Sequence, residues 1–166
     1  MKYLLDTNAF ISAKNGAFAF ESCPGFWTWL AGKNKTDEVF SIDKVKKELL
    51  AEEDQLCNWI ELHGEKLFLK TDNAETAKNL REISAWLWLD TQYTEAAKRT
   101  FLSCADYYIV GYAMSGGFTV VTMETDQPLA TARIKIPTVC KHFGVRVIRL
   151  YEMTRALRMR LVMDGA

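Results

Sequence analysis

Four acidic residues, Asp6, Glu48, Asp106 and Glu124, with Asp126 as a fifth candidate, stand where carboxylates can converge. Asp6 closes the apolar run Tyr3-Leu4-Leu5, and Glu124 follows the run Phe118-Thr-Val-Val-Thr122. A short apolar run bounded by polar residues reads as a buried strand. If both strands run parallel in one sheet, both acids leave at its carboxyl edge, where open α/β folds bind ligands. Asp106 lies in the first turn of a helix that opens after Ser103 and precedes the Glu124 strand. Glu48 borders the apolar stripe Val45, Leu49 and Leu50 of another helix. Converging carboxylates repel one another unless a divalent cation shares them, and oxygen donors suit Mg²⁺ or Mn²⁺. Acids sharing such an ion should lie within roughly 4–6 Å of each other, and the centre they form activates water and stabilises a phosphodiester transition state. Each acid also has a plainer use. Asp6 can simply end a strand, Asp106 suits the positive end of a helix dipole, and Glu48 can pair with Lys44 one turn back.

The elements that must position these residues alternate. After the first strand, Asn8 to Lys14 reads as a short helix capped by Thr7 or Asn8. Cys23-Pro24-Gly25-Phe26-Trp27-Thr28-Trp29-Leu30 reads as a second helix, with Pro24 in its first turn and Gly32 just past its end. Its aromatic cluster can serve as core or as a base-stacking surface, and core is the reading we adopt. Val39–Ile42 is a strand entering a helix over Asp43–Leu50, capped by Ser41 or Asp43. Gln55 to Leu62 is helical and ends at Gly64, and Leu67-Phe68-Leu69 is a strand. From Asn73 to Leu89 the residues Ala74, Ala77, Leu80, Ile83 and Leu87 recur at helical spacing. Helices over Tyr93–Phe101 and from Ser103, the latter capped by Ser103 and closed at Gly116, lead to the strand Phe118–Thr122. A helix over Ile136–Gly144, a strand over Val145–Ile148 and a helix over Tyr151–Met163 complete the chain. Strands alternating with helices predict an α/β fold with a mostly parallel sheet, and 166 residues suit one domain, 1–166.

Composition narrows the function classes. With 49% hydrophobic and 25% charged residues, the chain is globular in character. No apolar stretch is long enough to span a membrane, and the N-terminus lacks a secretory pattern, so the expectation is a cytoplasmic protein with no membrane partner. Cys23, Cys57, Cys104 and Cys140 are scattered, which argues against a zinc site or a disulfide framework. Net charge is zero but polarised. Through Asp126 there are 13 Lys and Arg against 19 Asp and Glu; from Gln127 onward there are 8 against 2. The basic stretch, including Arg155 and Arg158, can meet a phosphate backbone or an acidic protein partner, or form an ordinary solvated face.

The motifs Leu4-Leu5-Asp6-Thr7-Asn8-Ala9-Phe10-Ile11, Lys47-Glu48-Leu49, Ala105-Asp106-Tyr-Tyr-Ile109 with Ala113, and Val120-Val121-Thr122-Met-Glu124-Thr-Asp126 occur in an order that resembles the PIN domain family. Within it, they resemble the toxin-like, VapC-type ribonucleases of toxin–antitoxin pairs. The Cys23-Pro24-Gly25-Phe26-Trp27 stretch resembles an uncharacterised branch of that family. The resemblance runs from Met1 to about Leu150. It implies a three-layer α/β/α sandwich and Mg²⁺- or Mn²⁺-dependent cleavage of single-stranded RNA. It also implies an antitoxin protein as partner and a homodimer. Asp6, Glu48, Asp106 and Glu124 match the catalytic, metal-holding acids, and Asn8 and Thr122 match residues that support the first Asp. Many relatives carry Asp where this chain has Glu124, so either Glu124 binds through water or Asp126 replaces it. Glu52 and Glu53 lie one turn from Glu48 and compete for its place. Two other functions fit parts of the pattern: a degenerate PIN module that binds RNA or protein without catalysis, and a haloacid dehalogenase-type phosphatase. The phosphatase needs a second Asp two residues after the first, where this chain has Asn8.

Overall fold

Short apolar runs and intervening helical stretches assemble into a five-stranded, all-parallel sheet of order β3-β2-β1-β4-β5 in the computed structural model, which describes residues 1–162. The chain runs β1 (Lys2–Leu5), α1 (Thr7–Asn15), α2 (Pro24–Lys35), β2 (Val39–Ile42), α3 (Asp43–Leu49), α4 (Gln55–His63) and β3 (Phe68–Leu69). It continues through α5 (Ala74–Leu89), α6 (Glu95–Ser103), α7 (Ala105–Met114), β4 (Phe118–Val121), α8 (Ile136–His142), β5 (Val147–Ile148) and α9 (Leu150–Ala156). Tyr3–Leu5 of β1, Thr119–Val121 of β4 and all of β2 are buried in succession. Consecutive burial in a strand means that both sheet faces are covered, and the result is a three-layer α/β/α sandwich. Among the described residues no helix is long and apolar enough to cross a membrane.

The strand order places the site. β1 is central, paired with β2 on one side and β4 on the other, with Leu4 opposite both Phe40 and Val120. The chain leaves β1 toward β2 and later returns to β4, so the boundary between β1 and β4 is a topological switch point. Ligand crevices in open α/β sheets form there, beyond the carboxyl ends of the strands. In-register pairing puts Leu5 opposite Val121, so Asp6 and Thr122 emerge side by side. The Asp6 N–H donates to Val121 O at 3.0 Å and holds that register one residue past the strand.

The aromatic stretch belongs to the core, as read from the sequence. Phe26 and Trp27 are fully buried, Phe18 stacks on Phe26 and Phe20 on Trp27, each pair at 4.2 Å. Helix α7, which carries Asp106, packs closely on α5: a Cβ on Gly111 would stand 2.7 Å from Leu80 Cδ2. Asn79 Nδ2 donates to Gly111 O at 2.9 Å across the same contact. The buried face of α5 runs through Thr76, Asn79, Ile83 and Leu87, with Leu80 half-buried against α7, whereas Ala74 is exposed. Gly116 and Gly117, with φ of +141° and +75°, turn the chain from α7 into β4.

Several expected boundaries and caps are corrected. Helix α2 runs through Gly32 to Lys35, because the Asn34 amide is satisfied by Val39 O and Lys66 O. Helix α6 is Glu95–Ser103 with Thr94 as its cap, and β5 is reduced to Val147–Ile148. Neither Ser41 nor Asp43 caps α3. Ser41 donates to Leu5 O at 2.6 Å, and the Asp43 carboxylate accepts from the Thr71 hydroxyl at 2.8 Å. Helix α9 stops at Ala156, where Leu157 to Arg158 turn and Arg158 takes φ +51°. Met163, its expected end, lies outside the described residues.

Candidate metal centre

Asp6 sits at the mouth of the β1–β4 boundary and is 1% exposed. It is itself the N-cap of α1, in place of the expected Thr7 or Asn8: its Oδ1 accepts from Ala9 N–H at 2.6 Å. The extended conformation of the last strand residues carries on into Asp6, which makes it the residue at which strand becomes helix. Its Oδ2 accepts from the Thr122 hydroxyl at 2.7 Å, and Thr122 Oγ1 in turn accepts from Glu124 N–H at 3.0 Å. Thr122 thus bridges the Asp6 carboxylate to the backbone of Glu124. Asn8 makes no hydrogen bond to Asp6; it lines an adjoining cleft with Ser12, Glu124, Arg133 and Lys135.

Asp106 enters from the first turn of α7, and among the described residues its carboxylate has no hydrogen-bond donor. Burial, reinforced by the charges of Glu124 and Glu48 and opposed by Lys135 and Arg133, pushes it up to about 6. Asp6 is pushed up to about 7, by burial first and then by Asp106 and Glu124, against the lowering effect of Thr122 and Ala9. The structure therefore brings three of the sequence-predicted acids, Asp6, Asp106 and Glu124, within electrostatic reach of one another, with Glu48 on the Asp106 side.

The other two acids are engaged. Glu48, on α3, accepts from the Thr7 hydroxyl and from Ala105 N–H, the latter at 3.0 Å. It thereby satisfies a free amide at the start of α7, a task expected of Ser103. Ser103 is instead the last residue of α6 and donates to Thr100 O. Lys44, the expected helical partner of Glu48, lies over the Tyr108 ring. Glu52, the neighbouring alternative, lies 3.6 Å from Lys14 Nζ. Glu124 has a side chain only 5% exposed, and both of its oxygens are taken. Oε1 accepts from Lys135 Nζ at 2.6 Å with Arg133 at 3.8 Å, and Oε2 accepts from Ile136 N–H at 2.9 Å.

Lys135 was not singled out in the sequence as a site residue. The signal for it is the Ile136-Pro137 pair, which opens α8 and leaves unbonded amides seeking an anion. Nothing local says that the anion is Glu124. Asp126 points elsewhere: it is exposed, accepts from the Thr138 hydroxyl at 2.8 Å and lies 3.7 Å from Lys141. Asp126→Asn should accordingly shift the melting temperature by no more than about 2 °C, the scale of a surface substitution. A thermal melt compared with the wild type checks this.

Matches to known proteins follow the same span. A family model described as a domain of unknown function (DUF4411) matches residues 3–161. The chain belongs to the DUF4411 family. The match covers every acid described above and every strand residue but Lys2, so the site lies wholly within the family's domain. A search of curated proteins found no match to this DUF4411 protein.

The donor set fits a hard divalent cation. It is oxygen-only, partly withdrawn from water, and includes one carboxylate, Asp106, that no donor among the described residues satisfies. Among the described residues no three His, Cys, Asp or Glu side chains are gathered to ligate one ion, and Glu48 and Glu124 are held by other donors.

Proposed function

We propose that this DUF4411 protein is a PIN-type, metal-dependent endoribonuclease acting on single-stranded RNA. The observation that carries the reading is the juxtaposition of Asp6 and Asp106 at the β1–β4 switch point. Both carboxylates are partly or wholly buried, and among the described residues neither has a basic side chain of its own. Asp6 and Asp106 would hold the ion, and Glu48 and Glu124 would border it. When bound, Mg²⁺ or Mn²⁺ supplies Lewis acidity toward a phosphodiester and toward water. The remaining work falls to the chain. Thr122 and Ala9 N–H fix the Asp6 carboxylate through both of its oxygens. Lys135 and Ile136 N–H fix Glu124. Arg133, 72% exposed at the rim, is placed to meet a phosphate.

The test is incubation of a labelled single-stranded RNA with wild type and Asp106→Asn in Mn²⁺, with and without EDTA. Asp106 is the acid of choice because no hydrogen bond is lost with its charge. Internal fragments are expected from wild type in Mn²⁺ only, with activity down at least about a hundredfold in the variant, as loss of a positioned electrostatic group in a dry site commonly produces. Cleavage that survives EDTA overturns the reading. RNA binding without cleavage in any divalent ion would favour the degenerate binding module.

We extend the proposal to a cytoplasmic toxin that is held by an antitoxin protein and self-associates as a homodimer. Arg155 and Arg158 are exposed on and just beyond α9, and neither forms an ion pair among the described residues. Reversing both to Glu should weaken binding of RNA or of the antitoxin and lower the salt dependence on single-stranded RNA by roughly 0.7 of a log–log slope unit per lost phosphate contact. Identical binding curves from 50 to 300 mM salt would return them to an ordinary solvated face.

A further inference from the structure

On the Glu48 side of the acids, one side of α3 and the first turn of α7 line a cleft of about 380 Å³. Lys44, Lys47 and Glu48 line it from α3, and Ser103, Ala105 and Tyr108 from the α6–α7 side. On the other side, Asn8, Ser12, Glu124, Arg133 and Lys135 line the cleft described above. The acid cluster is thus bracketed by two cation-bearing clefts, joined to it through Glu48 and Glu124 respectively. A chain that carries one negative charge per residue and must pass an acidic centre needs attraction of this kind on both sides of it. The cleft beside Glu48 has a feature the other lacks: a half-buried aromatic ring, Tyr108, with Lys44 Nζ 5.1 Å above its centroid. Tyr107 meets that ring edge-on at 5.3 Å and stiffens it.

We propose that this cleft is a subsite for one nucleotide of single-stranded RNA next to the phosphate at the acid cluster. Tyr108 is its base-stacking platform, and Lys44 and Lys47 face the adjoining phosphates. The proposal rests on the nuclease reading. The face of Tyr108 now beneath Lys44 is the one a base takes. Lys44 then exchanges the ring for a phosphate oxygen and keeps an electrostatic partner throughout. Stacking tolerates any base, so the subsite orders the strand without reading its sequence. An acidic peptide would satisfy the lysines but leave the ring unused.

The experiment is fluorescence anisotropy of a short fluorescein-labelled single-stranded RNA with the full-length protein in EDTA, where binding is read without cutting. Tyr108→Ala is expected to weaken binding about tenfold, the scale of one lost stacked base, and Tyr108→Phe by less than about twofold. Lys44→Met should lower the log–log salt slope by about 0.7. A series of oligonucleotides, each abasic at one position, should show one position that costs wild type about tenfold and costs Tyr108→Ala nothing further. Tyr108→Ala that melts with wild type and binds like it overturns the subsite. So does a loss that is uniform along the abasic series, and so does an absence of RNA binding by wild type. RNA that binds with this dependence on Tyr108 yet stays intact in Mn²⁺ overturns the nuclease reading and leaves the subsite standing. RNA that is cut with an unchanged KM by Tyr108→Ala does the reverse.

Discussion

Asp6→Asn is expected to raise the melting temperature of the metal-free protein while removing most of its Mn²⁺ affinity and its cleavage of RNA. The stabilisation follows from burial. Asp6 is held at about 7 in the folded state against 3.8 for a free carboxyl, so ionising it opposes folding. That penalty is absent below about pH 4, grows as pH rises between the two values, and is fully present above about pH 7. Asn carries no charge and caps a helix about as well as Asp, so it can keep the bond from Ala9 N–H. Its amide nitrogen would face the Thr122 hydroxyl, which already accepts from Glu124 N–H and has a second lone pair to offer. Allowing for that rearrangement, the gain should be about 1–3 kcal/mol at pH 8, or about 3–8 °C for a chain of this size. It should vanish near pH 4. Melts of wild type and variant across pH 4–8, with and without Mn²⁺, check it. Added Mn²⁺ should stabilise wild type and leave the variant unmoved. A variant that is less stable at pH 8 would show that the lost hydrogen bond outweighs the charge, and full cleavage by the variant would remove Asp6 from the centre.

Lys135→Met should produce the opposite pattern. Glu124 would be left with one amide donor and the distant Arg133 guanidinium, while its side chain stays almost wholly buried. Removing one partner of a buried ion pair costs about 3–5 kcal/mol; Arg133 should reduce that to about 2–3 kcal/mol, or a fall of about 5–10 °C. Lys135→Met with Glu124→Gln should recover most of the loss, since the uncompensated charge is then gone. Mn²⁺ affinity, read by calorimetry, should rise at least about tenfold in the single variant, because a further carboxylate is released toward the ion beside Asp6 and Asp106. An unchanged melting temperature would mean that Arg133 alone neutralises Glu124. Unchanged Mn²⁺ affinity would mean that Glu124 stays clear of the ion even when released.

The alternation of short apolar runs with helical stretches, and the acids at strand exits, were legible in the sequence because they are local. Strand period, helix period and the polar residue that ends a run are all written within a few neighbours. That is why β1, β4 and the positions of Asp6, Asp106 and Glu124 could be read before any coordinates. The α/β class followed from the same alternation. Partner choice was not legible. The Glu48 carboxylate meets Ala105 N–H across 57 residues, and Thr122 meets Asp6 across 116. Ser103 loses its expected cap to Glu48 because α6 and α7 abut, leaving Ser103 to bond within α6. Lys135 becomes a site residue only because the start of α8 docks its amide against Glu124. Which donor a carboxylate takes depends on distances of a few ångströms, and those are set by how the layers pack. Local pattern alone marks which residues could do chemistry and at which strand ends Asp6 and Glu124 stand. How the layers pack settles which charges are left unsatisfied: among the described residues Asp106 has no donor, Glu124 is paired with Lys135, and Asp126 is turned to Thr138.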